Sequence, residues 1–326
     1  MFFTFVCEAF GSFLLMLRFV PMFGGKGIWI SVFLSVSAYC NAGFDILGFL
    51  KPDASLELFV GDPLVCLTIC CLIILGGIGF IVTVDLYNWG RKRVRKEERR
   101  PHLTLHTRIV LVSTASLLVL GTVLTLGLEY DHTLKDLNFW EKLNASFFQS
   151  VTARTAGYAT IPQGELGDAT KLVTIILMFI GASPSSTGGG IKTTTFVVLV
   201  ATVVSISRGR DETVINKRRV DKSVVYRAMT IVAMAFLVIA ITSGVIMVTT
   251  PPEVSAIDAV YEAVSAFGTV GLTTGLTPDL SIVAKILVML TMFIGRVGPI
   301  SLVLALTMKH SGGPGKILPE GKVIVG

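Results

Sequence analysis

Val151-Thr-Ala-Arg-Thr-Ala-Gly-Tyr158 is one of three versions of a single stretch. The earlier version is Ser37-Ala-Tyr-Cys-Asn-Ala-Gly-Phe44, and the later is Ser265-Ala-Phe-Gly-Thr-Val-Gly-Leu272. Aligned on the glycine, each reads small polar, small apolar, Gly, large apolar. Gly43, Gly157 and Gly271 stand at two equal intervals of 114 residues. Equal spacing at that length indicates an internal repeat. Each copy also follows a short half-apolar stretch and precedes a long apolar one.

The surrounding composition sets the solvent. Hydrophobic residues are 52% of the 326, charged residues only 15%, and mean hydropathy is +0.75. That balance implies an integral membrane protein with several spans. The net charge of +6 comes largely from two clusters between apolar runs. One is Arg91-Lys-Arg-Val-Arg-Lys-Glu-Glu-Arg-Arg100; the other comprises Arg208, Arg210, Lys217, Arg218, Arg219 and Lys222. Such clusters report topology. They are not interleaved with aromatics as a nucleic-acid surface would be. Met1 opens directly into apolar sequence without a charged leader or cleavage site, so no signal peptide is expected.

Read in order, 2–20 is an apolar run holding Glu8 and Arg18, and Val20–Gly27 is a turn-rich break. Ile28–Tyr39 is too short to span at 1.5 Å per residue. Pro63–Tyr87 reads as a full span with Gly76, Gly77 and Gly79 in its middle. Ile109–Leu128 and Ala228–Val248 are spans, and Phe139–Val151 and Val254–Phe267 are further short stretches. Lys171–Val204 is apolar at both ends with a polar, glycine-rich centre, and Ile282–Leu306 closes the pattern with Arg296 inside it. The basic clusters lie two spans apart and can share the cytoplasmic side, so the short stretches dip in from outside. The expected fold is all-α: three units of span, re-entrant half-helix, extended loop and span, at 1–88, 89–206 and 207–326.

Irregular backbone at membrane depth is tolerated only where it is buried or lines a cavity. A glycine-containing tetrapeptide after a half-helix can aim successive carbonyl oxygens at a common axis, replacing a monovalent cation's hydration shell. The half-helix turns its negative C-terminal end towards that axis. Glycine permits the backbone angles required. Four such loops close a ring, whereas three leave a gap. A further copy would fall before the first residue, so a missing first unit of similar length is expected.

The repeats, the Thr-Ala-Arg-Thr-Ala-Gly motif and the break Gly181-Ala-Ser-Pro-Ser-Ser-Thr-Gly-Gly-Gly-Ile-Lys-Thr193 resemble the Trk/Ktr/HKT superfamily of potassium transporters, and within it the KtrB-type bacterial membrane subunit. The resemblance covers essentially the whole chain and implies four pore-loop units around a pseudo-fourfold pore, of which this chain holds the last three. By motif match the carbonyl filter for K+ falls on Cys40, Asn41, Ala42 and Gly43, on Arg154, Thr155, Ala156 and Gly157, and on Gly268, Thr269, Val270 and Gly271. The intramembrane gate implied by the family falls on Gly181, Ala182, Ser183, Ser185, Ser186, Thr187, Gly188, Gly189, Gly190 and Lys192. The family's barrier arginine matches Arg296. The family's first filter glycine has no counterpart here. The resemblance further implies Na+ as co-ion or activator, a homodimer in the bacterial plasma membrane, a cytoplasmic nucleotide-binding regulatory ring of the KtrA/TrkA type, and no covalent cofactor.

Competing readings are weaker on chemistry. Gly190-Ile-Lys-Thr193 is not a phosphate loop, because glycine does not directly precede the lysine and no strand leads in. An innocent helix kink at 181–195 is the bland alternative, as is an Arg296 that snorkels beside Pro299. Arg154 is expected to point away from the pore, bonded to a carboxylate such as Glu262 or Asp45. Asp258 and Glu262 share a helix face and are expected to attract cations at the mouth. Cys7, Cys40, Cys66, Cys70 and Cys71 read as small buried hydrophobes. His102 and His106 read as solvated, with no third metal ligand near. No nucleophile–base pair supports an intramembrane hydrolase. A non-conducting remnant or assembly subunit of the same fold is the alternative function.

Overall fold

Helix starts follow local chemistry. Asp62 precedes Pro63 and accepts from the backbone N–H groups of Leu64 and Val65, launching a helix with proline in its first turn. Asn138 and Glu141 form a reciprocal capping box. Thr104, Asp221 and Ser281 each cap a helix with a side-chain oxygen. The Asp221 carboxyl is held below its ordinary value by the Ser223 backbone N–H that it accepts from.

The computed structural model describes residues 2–52, 55–95, 102–250 and 254–298. Its helices are α1 (Phe2–Phe23), α2 (Gly25–Tyr39), α3 (Pro63–Gly77), α4 (Phe80–Val94), α5 (Leu105–Glu129), α6 (Phe139–Thr152), α7 (Asp168–Phe179), α8 (Thr193–Ser207), α9 (Lys222–Thr249), α10 (Ala256–Gly268) and α11 (Ile282–Val297). The pattern repeats as a long helix, a short helix folded back on it (α1 with α2, α5 with α6, α9 with α10), an extended segment and a further helix. A single 3₁₀ turn precedes each of α3, α7 and α11. The fold is all-α. Residues 96–100 of the first basic cluster and Pro101 lie outside the described residues, as do Pro299, the end of the last apolar run and the C-terminal tail.

α1, α5 and α9 are long and apolar enough to cross a membrane. Their outward faces carry large exposed apolar side chains such as Phe5, Phe10, Val119, Phe236 and Leu237. That surface suits a hydrocarbon solvent. Buried residues concentrate around α2, α6 and α10, which are enclosed by longer helices. Tyr158, Tyr261, Phe148 and Phe267 are among the largest fully buried side chains.

Three expectations are corrected, and one element is added. The break after 2–20 shrinks to a turn at Gly24, because α1 continues through Pro21 and α2 starts at Gly25. Pro63–Tyr87 is not one straight span: α3 and α4 meet at 96°. Gly79 adopts a left-handed φ of 91° there. The freed backbone groups find partners in a distant segment: Ser183 N–H donates to Gly77 O, Thr187 N–H to Gly76 O, and Phe80 N–H to Ser185 O. The second basic cluster contains a small hairpin, Val214–Ile215 pairing with Arg218–Arg219 around Asn216 and Lys217. Both turn residues have positive φ, as a tight two-residue turn requires. Finally, Cys66 and Cys70 are buried, but Cys40 and Cys71 are exposed.

Candidate functional site

The three repeated stretches meet at the middle of the molecule. A Cβ on Gly157 would overlap the carbonyl oxygen of Val270 and lie 3.4 Å from the Cα atoms of both Gly43 and Gly271. Gly43 and Gly271 thus flank Gly157, and among the described residues neither glycine touches the other. On the side between them a cleft of about 510 Å³ is lined by Cys40, Asn41, Ala42, Thr269, Met292, Phe293 and Arg296. Among the described residues, three extended segments surround an axis, with this cleft on the fourth side.

The backbone repeats in detail. Asn41, Thr155 and Thr269 have φ of 51°, 71° and 50°; Gly43, Gly157 and Gly271 have 72°, 87° and 91°. In the first and third copies the short helix ends in a Schellman motif. Ala42 N–H donates to Ser37 O and Val270 N–H to Ser265 O, while Asn41 N–H donates to Ala38 O and Thr269 N–H to Ala266 O. The helix C-terminal ends therefore lie beside the segments and bring partial negative charge to the axis.

One hydroxyl then fastens the far end of each segment. Ser37 Oγ donates to Phe44 O (2.7 Å), Thr152 Oγ1 to Tyr158 O (2.6 Å) and Ser265 Oγ to Leu272 O (2.6 Å). In the second copy Val151 occupies the serine position, and Thr152 takes over both tasks, accepting from Ala156 N–H as well. Tyr158 Oη also donates to Phe44 O (3.2 Å), tying neighbouring copies together. Behind them, Gln149 and Gln163 exchange amide bonds, and Tyr261 Oη donates to Gln163 Oε1 (2.9 Å). These hydroxyl and amide ties were not anticipated. Ser37 and Ser265 head the quoted motifs, and that was the available signal.

The glycine-rich break lies against the inner ends of the three segments. α7 stops at Phe179 and α8 starts at Thr193; a short bridge between Ile180 and Ile191 closes the neck of the loop between them. Gly181 packs on Gly189 and Gly190, where no side chain fits. Ala182 O accepts from Thr193 N–H, and Thr193 Oγ1 donates to Ser183 Oγ. Ser185 and Gly190 have positive φ. Thr187 Oγ1 donates to Tyr39 O, and Lys192 Nζ to Gly188 O (2.6 Å). Arg296 Nη1 donates to Thr187 O (2.8 Å) from the exposed side of α11. Every residue of the expected loop thus lies in one segment beneath the three glycine stretches.

Two side-chain expectations fail. Arg154 is buried, 7% exposed, and its side chain has no hydrogen bond or ion pair among the described residues. Glu262 instead accepts from Thr273 Oγ1, Thr274 N–H and Thr277 Oγ1, and Asp45 accepts from Leu47 N–H. Both carboxylates are taken by donors close in their own segments. Nor does Glu262 stand open at a mouth, since it brackets the residues after the third glycine. Asp258 is paired with Lys171 on α7 (2.8 Å). His102 is exposed, while His106 is half-buried with its Nε2 unpartnered.

Comparison with known proteins agrees with this architecture. A family model described as TrkH, cation transport protein, matches residues 1–313. The chain is 37% identical over 327 residues to Ktr system potassium uptake protein B of Bacillus subtilis, covering 99% of this chain and 70% of that protein. It is 39% identical over 331 residues to the potassium/sodium uptake protein NtpJ of Enterococcus hirae, with the same two coverages. The fold matches the crystal structure of the potassium transporter TrkH from Vibrio parahaemolyticus with a TM-score of 0.70 at 17% identity, over 92% of this chain and 62% of that one. With its three glycine stretches around one axis, and by these matches, the chain belongs to the TrkH family of cation transport proteins.

Proposed function

We propose that the protein takes up potassium across the bacterial plasma membrane through a filter of backbone carbonyls, with the loop at 181–192 as its gate. The observation that carries this reading is the alternation of left-handed residues at 41 and 43, 155 and 157, and 269 and 271. Three non-glycine residues in that region are uncommon, and for threonine they are outliers. Their recurrence at one position of every repeat fits a backbone shaped for its carbonyls. The three units are 1–88, 89–206 and 207–326, each containing one filter stretch.

The names of the relatives extend the proposal. Potassium/sodium uptake by NtpJ fits Na+ as co-ion or activator, and the Ktr system of the Bacillus relative fits a cytoplasmic nucleotide-binding ring as partner. The exposed basic residues at 91–95 and 208–222 form the cytoplasmic face on which it docks, beneath a membrane homodimer. The protein is a transporter rather than an enzyme.

The open side between Gly43 and Gly271 favours a second reading, in which this chain alone does not conduct and a further unit fills the cleft at Arg296. Potassium-dependent growth of an uptake-deficient bacterium tests both. Rescue that Gly157→Ser weakens, or turns sodium-permeable, supports the filter. Rescue only when an in-frame fourth unit precedes residue 1 supports the second reading. Rescue that Gly157→Ser leaves untouched removes the filter proposal.

A further inference from the structure

The second basic cluster holds more than charge. Phe196, Val200 and Val204 of α8 recur every four residues, so they lie on one face over about 12 Å of helix. Between that face and Val214 and Ile215 of the hairpin is a cleft of about 360 Å³, with Arg208 and Arg210 lining its end. The cleft is held open by fixed bonds. Thr202 Oγ1 and Thr213 Oγ1 share a buried hydrogen bond (2.9 Å), and Ser205 Oγ accepts from Val214 N–H (3.3 Å), so two hydroxyls of α8 fasten the hairpin. Val220 N–H donates to Thr213 O and secures the return strand. The two arginines are exposed, and neither side chain has a hydrogen bond or ion pair among the described residues. Glu212 pairs instead with Arg219 (3.0 Å), and Asp211 is not part of the lining. The carbonyls at the end of α8 do not offset the charge, because Val204 O, Ser205 O and Ile206 O accept from the N–H groups of Arg208, Gly209 and Arg210.

We propose that this cleft binds an anionic phospholipid, with an acyl chain along Phe196, Val200 and Val204 and the headgroup phosphate held by Arg208 and Arg210. A planar guanidinium offers paired donors to phosphate oxygens. Basic residues just beyond a membrane helix stand at the depth of lipid phosphates. An apolar wall ending in two unpaired cations is complementary to an amphiphile with an anionic head. A soluble anion would leave the apolar wall uncovered, and an apolar peptide segment would leave the arginines idle. The site is separate from the glycine segments and does not rest on the filter reading. It requires only that α8 end at the membrane surface. Lys217, Arg218 and Lys222 lie outside the cleft and stay available to a cytoplasmic partner. Because α8 begins at Thr193, where the glycine-rich loop ends, a lipid seated here holds the far end of the helix to which that loop is joined.

Native mass spectrometry of the purified chain, released from detergent micelles carrying phosphatidylglycerol or phosphatidylcholine, reads bound lipid directly. Three variants are compared with the parent: Arg208→Ala with Arg210→Ala, Arg218→Ala with Lys222→Ala, and Ala201→Trp. The second removes the same charge from outside the cleft, and the third fills the cleft, which Ala201 lines, beneath intact arginines. The parent is expected to retain one phosphatidylglycerol, and the Arg208 and Arg210 pair to lower its affinity about tenfold. The Arg218 and Lys222 pair is expected to stay within about twofold of the parent, since exposed charges away from the phosphate are screened. Ala201→Trp is expected to release the lipid; if that variant does not fold, the two charge pairs decide. Equal losses from the two pairs reduce the binding to general surface charge and overturn the site. Phosphatidylcholine retained as tightly as phosphatidylglycerol, or an Ala201→Trp chain that binds like the parent, also overturns it. A parent that retains no lipid, or a parent dimer that the Arg208 and Arg210 pair splits, gives the cleft to protein and removes the proposal.

Discussion

The three glycine segments and the loop beneath them are both irregular backbone, but they are held differently. Each segment is bonded at both ends: a helix terminus secures its start, and a buried hydroxyl secures the carbonyl after its glycine. The loop has fewer ties to the segments, of which one is the bond from Thr187 Oγ1 to Tyr39 O at the end of α2. Its main chain bonds the bend between α3 and α4, Arg296 reaches it from the exposed side, and the face turned to the segments meets atoms with no partner. The lesson is that irregular backbone can be a fixture or a moving part, and that the distribution of its hydrogen bonds distinguishes the two.

The largest effect is expected where the fixture is pushed. A Cβ on Gly295 of α11 would overlap the carbonyl of Phe267 at the end of α10, and one on Gly76 would overlap that of Tyr39 at the end of α2. Backbone cannot give way there as a side-chain tip can. Gly295→Ala should destabilise by ~3 kcal/mol, seen as a lowered unfolding temperature in detergent; an unchanged temperature would mean that the fixture is softer than its bonds imply. The moving part comes next. Arg296→Ala removes a charged donor from Thr187 O and should shift the loop towards withdrawal by about 1.5 kcal/mol, roughly a tenfold change in population. Faster uptake with unaltered unfolding temperature is the expected pair of results, and slower uptake would reverse the role given to Arg296. The smallest effect belongs to one clamp among three. Thr152→Val leaves Tyr158 O without its hydroxyl and should cost about 1 kcal/mol. It is expected to lower the potassium-to-sodium uptake ratio severalfold, with Thr152→Ser close to the parent. A Thr152→Val chain of undiminished selectivity would show the clamp to be incidental.

Much of this contrast was legible in the letters. Three glycines at one period, each after a short apolar stretch, located the segments. Gly181–Thr193 disclosed its own unwinding, because no apolar face runs through it. What escaped depended on partners remote in sequence. Gly76, Gly77 and Gly79 permit a bend in Pro63–Tyr87 but do not dictate one of 96°, since the groups that stabilise it belong to Ser183, Ser185 and Thr187, about a hundred residues on. The pairing expected for Arg154 failed for the opposite reason. Asp45 is satisfied by Leu47 N–H two residues on, and Glu262 by Thr273, Thr274 and Thr277 beyond its own filter stretch, which charge complementarity alone does not reveal. Thr152 does in the second copy what Ser37 and Ser265 do in the others, because the second short helix ends with a different hydrogen-bond pattern, a one-residue choice that the motif alignment conceals.

The bend at Ile78 and Gly79 carries a mechanical consequence. α4 is a stiff arm of 15 residues, about 22 Å at the rise of an α-helix, and its far end carries Arg91, Lys92 and Arg93. Its near end is stitched to the loop through Phe80 N–H and Ser185 O. Geometry makes this a lever with its fulcrum beside the loop. A rotation of ~10° displaces the basic tip by ~4 Å (the arm length following from helix rise) while the fulcrum barely travels. A pull on the distal arginines therefore reaches the loop as a small displacement with mechanical advantage, and the reverse motion is amplified on its way out.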